Sequence, residues 1–145
     1  MGTRSTIAYK EGNKIRSVYC HWDGYLSHNG HILQNFYQEA RKIGQLIELG
    51  DMSSLGAQLG AVPINSVLNV TTADTVCTFF GRDRGEHGVE AREFDTVQAW
   101  LAHYNWSEYA YLWNGSEWLV WQGERDALEQ PVFARLEDLL ETVEV

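Results

Sequence analysis

The sequence predicts a single α+β domain over residues 1–145, with a mainly antiparallel sheet built from hairpins and helices packed on one face. Three observations carry that reading. Two β-rich runs at the start are separated by Glu11-Gly12-Asn13, an apolar stripe of helical period follows, and two aromatic runs flank Asn114-Gly115.

Thr3 to Lys10 and Lys14 to His21 read as strands, and Gly12-Asn13 tolerate the positive φ of a tight turn. This hairpin brings His21 close to Thr3, Arg4 and Ser5. Arg4 then neighbours Asp23, a contact that a one-residue slip of register undoes. From Gly30 to Leu49 the apolar positions Ile32, Leu33, Phe36, Tyr37, Ala40, Ile43, Leu46 and Ile47 give one continuous helical stripe. Ser27 or Asn29 caps its start, and Gly50 ends it in a left-handed turn.

Asp51 to Leu55 opens a second, shorter helix ending near Gly60. Ala61 to Ala73 contains Pro63 and little period, and reads as a loop. Thr75 to Phe80 is a strand, Gly81 to Gly88 a charged loop punctuated by glycine, and Val89 to Phe94 a returning strand. Asp95 or Thr96 caps a helix carrying Val97, Trp100, Leu101 and Tyr104. Tyr109 to Trp113 and Ser116 to Trp121 form a hairpin on a type I′ Asn-Gly turn. A last helix spans about Val132 to Val143, its acidic residues on a solvated face.

Hydrophobic residues make up 44% of the chain and charged residues 21%, enough for a folded core. No secretory pattern opens the sequence and no apolar run approaches bilayer length. Cys20 and Cys77 are therefore expected as reduced thiols in a cytoplasmic protein without a membrane span. The formal net charge of −9 argues against direct nucleic-acid binding, which needs clustered Lys and Arg. It suits solubility, and equally an acidic face for a basic partner.

The densest chemistry lies in Cys20-His21-Trp22-Asp23-Gly24-Tyr25, followed by His28, Asn29, Gly30 and His31. A strand enters the stretch and a helix leaves it, so its side chains sit on rigid supports. His21, Asp23, His28 and His31 carry imidazole and carboxylate donors that suit zinc, manganese or iron. No H-E-x-x-H or paired C-x-x-C pattern accompanies them, and Cys20 and His21 point to opposite faces of a strand. No cofactor is assigned. A Cys-His nucleophile needs an exposed thiol beside a base, whereas Cys77 sits mid-strand among apolar residues. Arg82 and Arg84, flanked by glycine, can grip a phosphate or carboxylate, or simply pair within a charged loop. The tryptophans divide between core and an outward row that could serve as an interface.

Met1-Gly2-Thr3-Arg4-Ser5, the strand ending Tyr19-Cys20-His21-Trp22-Asp23-Gly24-Tyr25 and the His28-x-Gly30 step resemble a group of small phage and mobile-element proteins. Arg82-Asp83-Arg84-Gly85 and the Tyr-Leu-Trp…Glu-Trp-Leu-Val hairpin are similar too, so the likeness spans most of the chain. Members of that group usually carry Pro where this chain has Leu26. The resemblance brings no catalytic residues. It implies a phage-encoded accessory protein acting in the host cytoplasm.

The expectation is a non-enzymatic protein that covers a host defence protein, with an anti-CRISPR role the most concrete version. A nucleic-acid-binding effector would offer the basic face that these acidic residues suit. Candidate binding residues are Arg4, His21, Trp22, Asp23, Tyr25, His28, Arg82 and Arg84. The alternative is a nucleotide- or metal-binding protein or enzyme centred on His21, Asp23 and His28. The Trp22–Tyr25 turn itself is expected to be structural first. In that reading Asp23 bonds turn N–H groups or Arg4, Gly24 takes a positive φ, and Trp22 or Tyr25 packs under the long helix.

Overall fold

A computed structural model describes residues 3–60 and 76–143, so the loop expected at Ala61 to Ala73 lies outside the described residues. In chain order the elements are β1 (Ser5–Glu11), β2 (Lys14–Cys20), a π-helical turn (Leu26–Gly30), α1 (His31–Phe36), α2 (Ala40–Glu48) and β3 (Met52–Ser54). There follow β4 (Thr78–Phe79), α3 (Phe80–Arg84), β5 (Arg92–Phe94), α4 (Val97–His103), β6 (Tyr109–Trp113), β7 (Trp118–Trp121), β8 (Ala134–Arg135) and α5 (Leu136–Val143). The strands make one mainly antiparallel mixed sheet in the order β4-β3-β2-β1-β6-β7-β8, with β5 also paired to β2. The fold is α+β. No helix among the described residues is long and apolar enough to cross a membrane.

The first hairpin has the expected turn. Ser5 pairs with Cys20 and Glu11 with Lys14 around Gly12, whose φ is +59°. Its register sets both faces of the sheet. Ile7, Val18 and Cys20, with Tyr111, Trp113, Trp118 and Val120, face α1, α2 and α5. Ala8, Ile15, Ala110 and Leu112 face the other way and are covered by Trp100, Leu101 and Tyr104 from α4 and its end. Helices therefore flank both faces, not one. Thr6 and Ala8 lie on this face and are fully buried beneath the α4 layer.

The long helical stripe is broken. Tyr37 leaves helical geometry at φ −128°, ψ 71°, separating α1 from α2. Three side-chain hydrogen bonds hold the break. The Trp118 indole N–H donates to the Tyr37 carbonyl (2.7 Å), the Lys42 ammonium to the Phe36 carbonyl (2.6 Å), and the Tyr37 hydroxyl to the Gly56 carbonyl (2.6 Å). Two of these bonds take the Phe36 and Tyr37 carbonyls, which a continuous helix would have satisfied itself. Gly50 does end α2 in the left-handed region, at φ +87°, and a Cβ there would lie 2.5 Å from the Val89 carbonyl oxygen.

Two further expectations are corrected. Asp51 to Leu55 is not helical, because Met52 and Ser53 give their carbonyls to the N–H groups of His21 and Trp22, which makes β3 a parallel neighbour of β2. Within Gly81 to Gly88, residues up to Arg84 complete α3 before Gly85 (φ +68°) turns the chain. The Thr96 hydroxyl caps α4 as predicted, accepting from the Ala99 N–H at 3.0 Å. The β6–β7 turn centres one residue later than expected, on Gly115-Ser116, because the Asn114 N–H bonds the Glu117 carbonyl.

Trp118→Phe keeps the ring packed but leaves the Tyr37 carbonyl unpaired in the core. Urea denaturation should show a loss of about 1–3 kcal/mol, the cost of an orphaned buried acceptor. A loss no larger than that of a surface substitution would mean the α1–α2 break does not depend on this bond.

Candidate functional site

Beyond Cys20 the chain leaves β2 through Trp22 to Gly30, and a buried amide holds this turn. Asn29 is fully buried, and its Nδ2 donates toward Ser5 Oγ (3.3 Å), the Trp22 carbonyl (3.3 Å) and Cys20 Sγ (3.4 Å). Its Oδ1 lies 2.9 Å from His28 Nδ1. The Gly24 N–H donates to the Thr3 carbonyl at 2.7 Å, and the Gly24 carbonyl accepts from the Tyr111 hydroxyl at 2.6 Å. A Cβ on Gly24 would lie 2.8 Å from Ser5 Cβ, so glycine is required here by close approach. The positive φ belongs to Asp23, at +57°, and not to Gly24 as the sequence suggested. Aspartate tolerates that region better than most residues.

Asp23 is half-exposed. Its carboxylate accepts from the Tyr25 hydroxyl (3.3 Å) and lies 4.0 Å from His28 Nε2, with no Arg4 pairing. Arg4 lies instead over the Trp106 ring, 5.6 Å from its centroid. Trp22 and Tyr25 do not pack under the helix. They are 43% and 38% exposed, too much for core residues of their size.

The metal candidates do not gather. His21 Nδ1 meets the Tyr19 hydroxyl and His31 Nδ1 the Asn35 amide (3.2 Å), while His28 is shared between Asn29 and Asp23. Among the described residues no three His, Cys, Asp or Glu groups are placed to hold one ion. Burial pushes the Cys20 thiol up to about 12 and raises that of Cys77, so neither is a ready nucleophile. Arg82 donates to the Leu59 and Cys77 carbonyls and to Asp83, and Arg84 to Ser53 Oγ (3.3 Å), so both brace the β3–β4 edge.

Two features were missed in the sequence. A row of rings crosses the end of the sheet: Trp22–His21 at 4.6 Å, His21–Tyr19 at 6.0 Å, Tyr19–Trp106 at 4.9 Å and Trp106–Tyr104 at 5.8 Å. Trp106 is 43% exposed, so this row ends on exposed indole at Trp22 and carries a second one at Trp106. Beside the row opens a cleft of about 370 Å³, walled by Arg4, Tyr19, Asp51 and Arg92, with His103, Tyr104 and Trp106 opposite. Register explains the first four. Tyr19 pairs with Thr6 and Arg92 with Ser17, while Asp51 precedes the Met52–Cys20 pair, so alternation turns all four to the α4 face. Asp51 Oδ1 accepts from the Tyr19 N–H at 2.9 Å. Compared with known proteins, the chain matches no family model, no curated protein and no solved structure.

Asn29→Ala should cost about 2–3 kcal/mol in urea, since several buried groups lose their partner together. Asp23→Gly should change stability by less than about 0.5 kcal/mol, because glycine accepts the positive φ freely. An Asp23→Gly loss as large as that of Asn29→Ala would make the carboxylate, not the turn, the structural element.

Burial pushes the Asp51 carboxyl up to about 6, against an opposing pull from Arg92 and with Glu90 adding to the rise. A raised carboxyl pKa means that folding favours the neutral form. Its contribution to stability is therefore present below about pH 4 and lost as pH rises through about 6. Asp51→Asn keeps the acceptor for Tyr19 and removes that loss. Between pH 4 and pH 8 the variant should gain about 1–2 kcal/mol on the native protein, a figure reduced for the partly exposed carboxylate. Parallel stability profiles would show that Asp51 ionises normally.

Proposed function

We propose that this chain is a non-enzymatic binding protein that acts by covering a surface of another protein. In the phage setting implied by its sequence resemblance, that partner is a host defence protein. The observation that carries the reading is the exposure of Trp22, Tyr25 and Trp106 at one end of the sheet. Large aromatic rings held in water are costly unless something covers them, and Trp, Tyr and Arg dominate interface hot spots.

Rigidity supports the same reading. Trp22 and Tyr25 sit in a turn pinned by the Asn29 amide, the Gly24 N–H and the Tyr111 hydroxyl. Little conformational freedom is left to lose when a partner lands on them, which favours tight association. The net charge of −9 adds long-range attraction toward a basic partner surface and raises the association rate. The burial of both thiols weighs against covalent chemistry.

Immobilised protein should retain one stoichiometric partner from host lysate. A Trp22→Ala/Tyr25→Ala variant should lose about tenfold or more in affinity, with its melting temperature within about 2 °C of the parent's. Both residues are exposed, so folding is not at stake. Recovery of no stoichiometric partner, or equal recovery by the variant, would overturn the reading.

A further inference from the structure

The cleft between Arg4, Asp51 and Arg92 shares Trp106 with the exposed aromatic surface but contains neither Trp22 nor Tyr25. Its volume of about 370 Å³ is that of a small-molecule site. Three observations say what it would hold. Arg4 and Arg92 both line it, and neither takes part in an ion pair among the described residues. Arg4 stands 5.6 Å above the Trp106 ring, so cation and exposed π-face meet at one point. Tyr104 is 96% buried, and its hydroxyl faces Ser17 and Arg92, within reach of both but without a well-formed hydrogen bond.

A buried hydroxyl left without a well-formed bond is uncommon and costs stability unless a ligand or water completes it. Beside it, Asp51 uses Oδ1 for the Tyr19 N–H, and Oδ2 makes no hydrogen bond among the described residues. The cleft thus offers two guanidiniums, a flat indole face, a hydroxyl and a carboxylate oxygen.

We propose that this cleft binds a nucleoside monophosphate, its base against Trp106 and its phosphate between Arg4 and Arg92. A planar carboxylate is satisfied by one guanidinium fork, whereas a tetrahedral dianion suits two guanidiniums, here Arg4 just before β1 and Arg92 in β5, lining one cleft. Base stacking on the part of the indole that Arg4 leaves open, Trp106 being 43% exposed, supplies the apolar part. The Tyr104 hydroxyl and the free Asp51 oxygen, an adjacent donor and acceptor, match the mixed donor and acceptor edge of a base. The rings of Tyr19 and Tyr104, set edge-on to Trp106 at 77° and 66°, hold that indole in place.

Titration calorimetry of the intact chain against AMP, GMP, CMP and UMP tests this, with the matching nucleosides and inorganic phosphate as controls. At least one monophosphate should bind and quench tryptophan fluorescence. Its nucleoside and free phosphate should each bind about tenfold or more weakly, since each lacks half of the recognition. Arg92→Ala should weaken binding by a similar factor, Arg92→Lys by less, and Trp22→Ala by less than about twofold. Absence of binding by all four monophosphates would overturn the proposal. So would phosphate binding as tightly as the nucleotide, or affinity unchanged in Arg92→Ala. Partner capture by the Arg92→Ala variant reads the surface of Trp22 and Tyr25 independently, so failure of one proposal is distinct from failure of the other.

Discussion

Ser5, Thr6, Ile7 and Ala8 are all fully buried, so β1 has packed protein on both of its faces and a paired strand along each edge. That double burial dictates the rest. A strand with two covered faces needs a layer above and a layer below. The chain supplies α1, α2 and α5 on the Ile7 side and α4 on the Ala8 side. It also needs its polar atoms satisfied. The Thr6 hydroxyl donates to the Val18 carbonyl (2.9 Å) and accepts the Trp100 indole N–H (3.0 Å), so one small side chain fixes α4 against the sheet. A hydroxyl used as both donor and acceptor in the dry interior is worth more than either bond alone.

At the end of the same strand the constraint becomes one of shape. Gly24 passes so close to Ser5 that no side chain fits, and Gly30 lies where a Cβ would be 3.2 Å from Leu136 and 3.3 Å from the Tyr111 hydroxyl. Between these two contacts the chain has room for one buried amide, and Asn29 fills it. The dense polar stretch after Cys20 is therefore organised from below by Asn29 and not by its histidines. What it presents to solvent, Trp22 and Tyr25, is the residue set that remains once the buried partners have been satisfied.

Local signals made much of this legible. Gly12 at a tight turn, Gly50 ending a helix and Thr96 capping one are each decided within four or five residues, and each reads correctly. The errors share a cause: a distant partner outweighed a local preference. Trp118 lies 81 positions from Tyr37, yet its N–H helps break a stripe whose period alone argues for a single helix. Asp51 to Leu55 has a good helix start but pairs with β2. The second helical layer was hidden because Thr6 and Ala8 are not conspicuously apolar. The cleft draws residues from five separate segments, and only strand register shows that Arg4, Tyr19, Asp51 and Arg92 share a face.

Charge adds a last constraint on what the two surfaces can do. The chain carries −9 overall, and Lys14, Arg16, Arg82 and Arg135 are committed to neighbouring carboxylates. Arg4 and Arg92 face the cleft together with the single carboxylate Asp51, so the net positive field there is local, set within a negative surround. An anion approaching from a distance meets repulsion, and only at contact does it meet the two guanidiniums. Salt screens the first interaction over about 8–10 Å and the second much less. An anionic ligand in the cleft is therefore less sensitive to ionic strength than a basic partner on the Trp22 surface, whose attraction acts over the longer range.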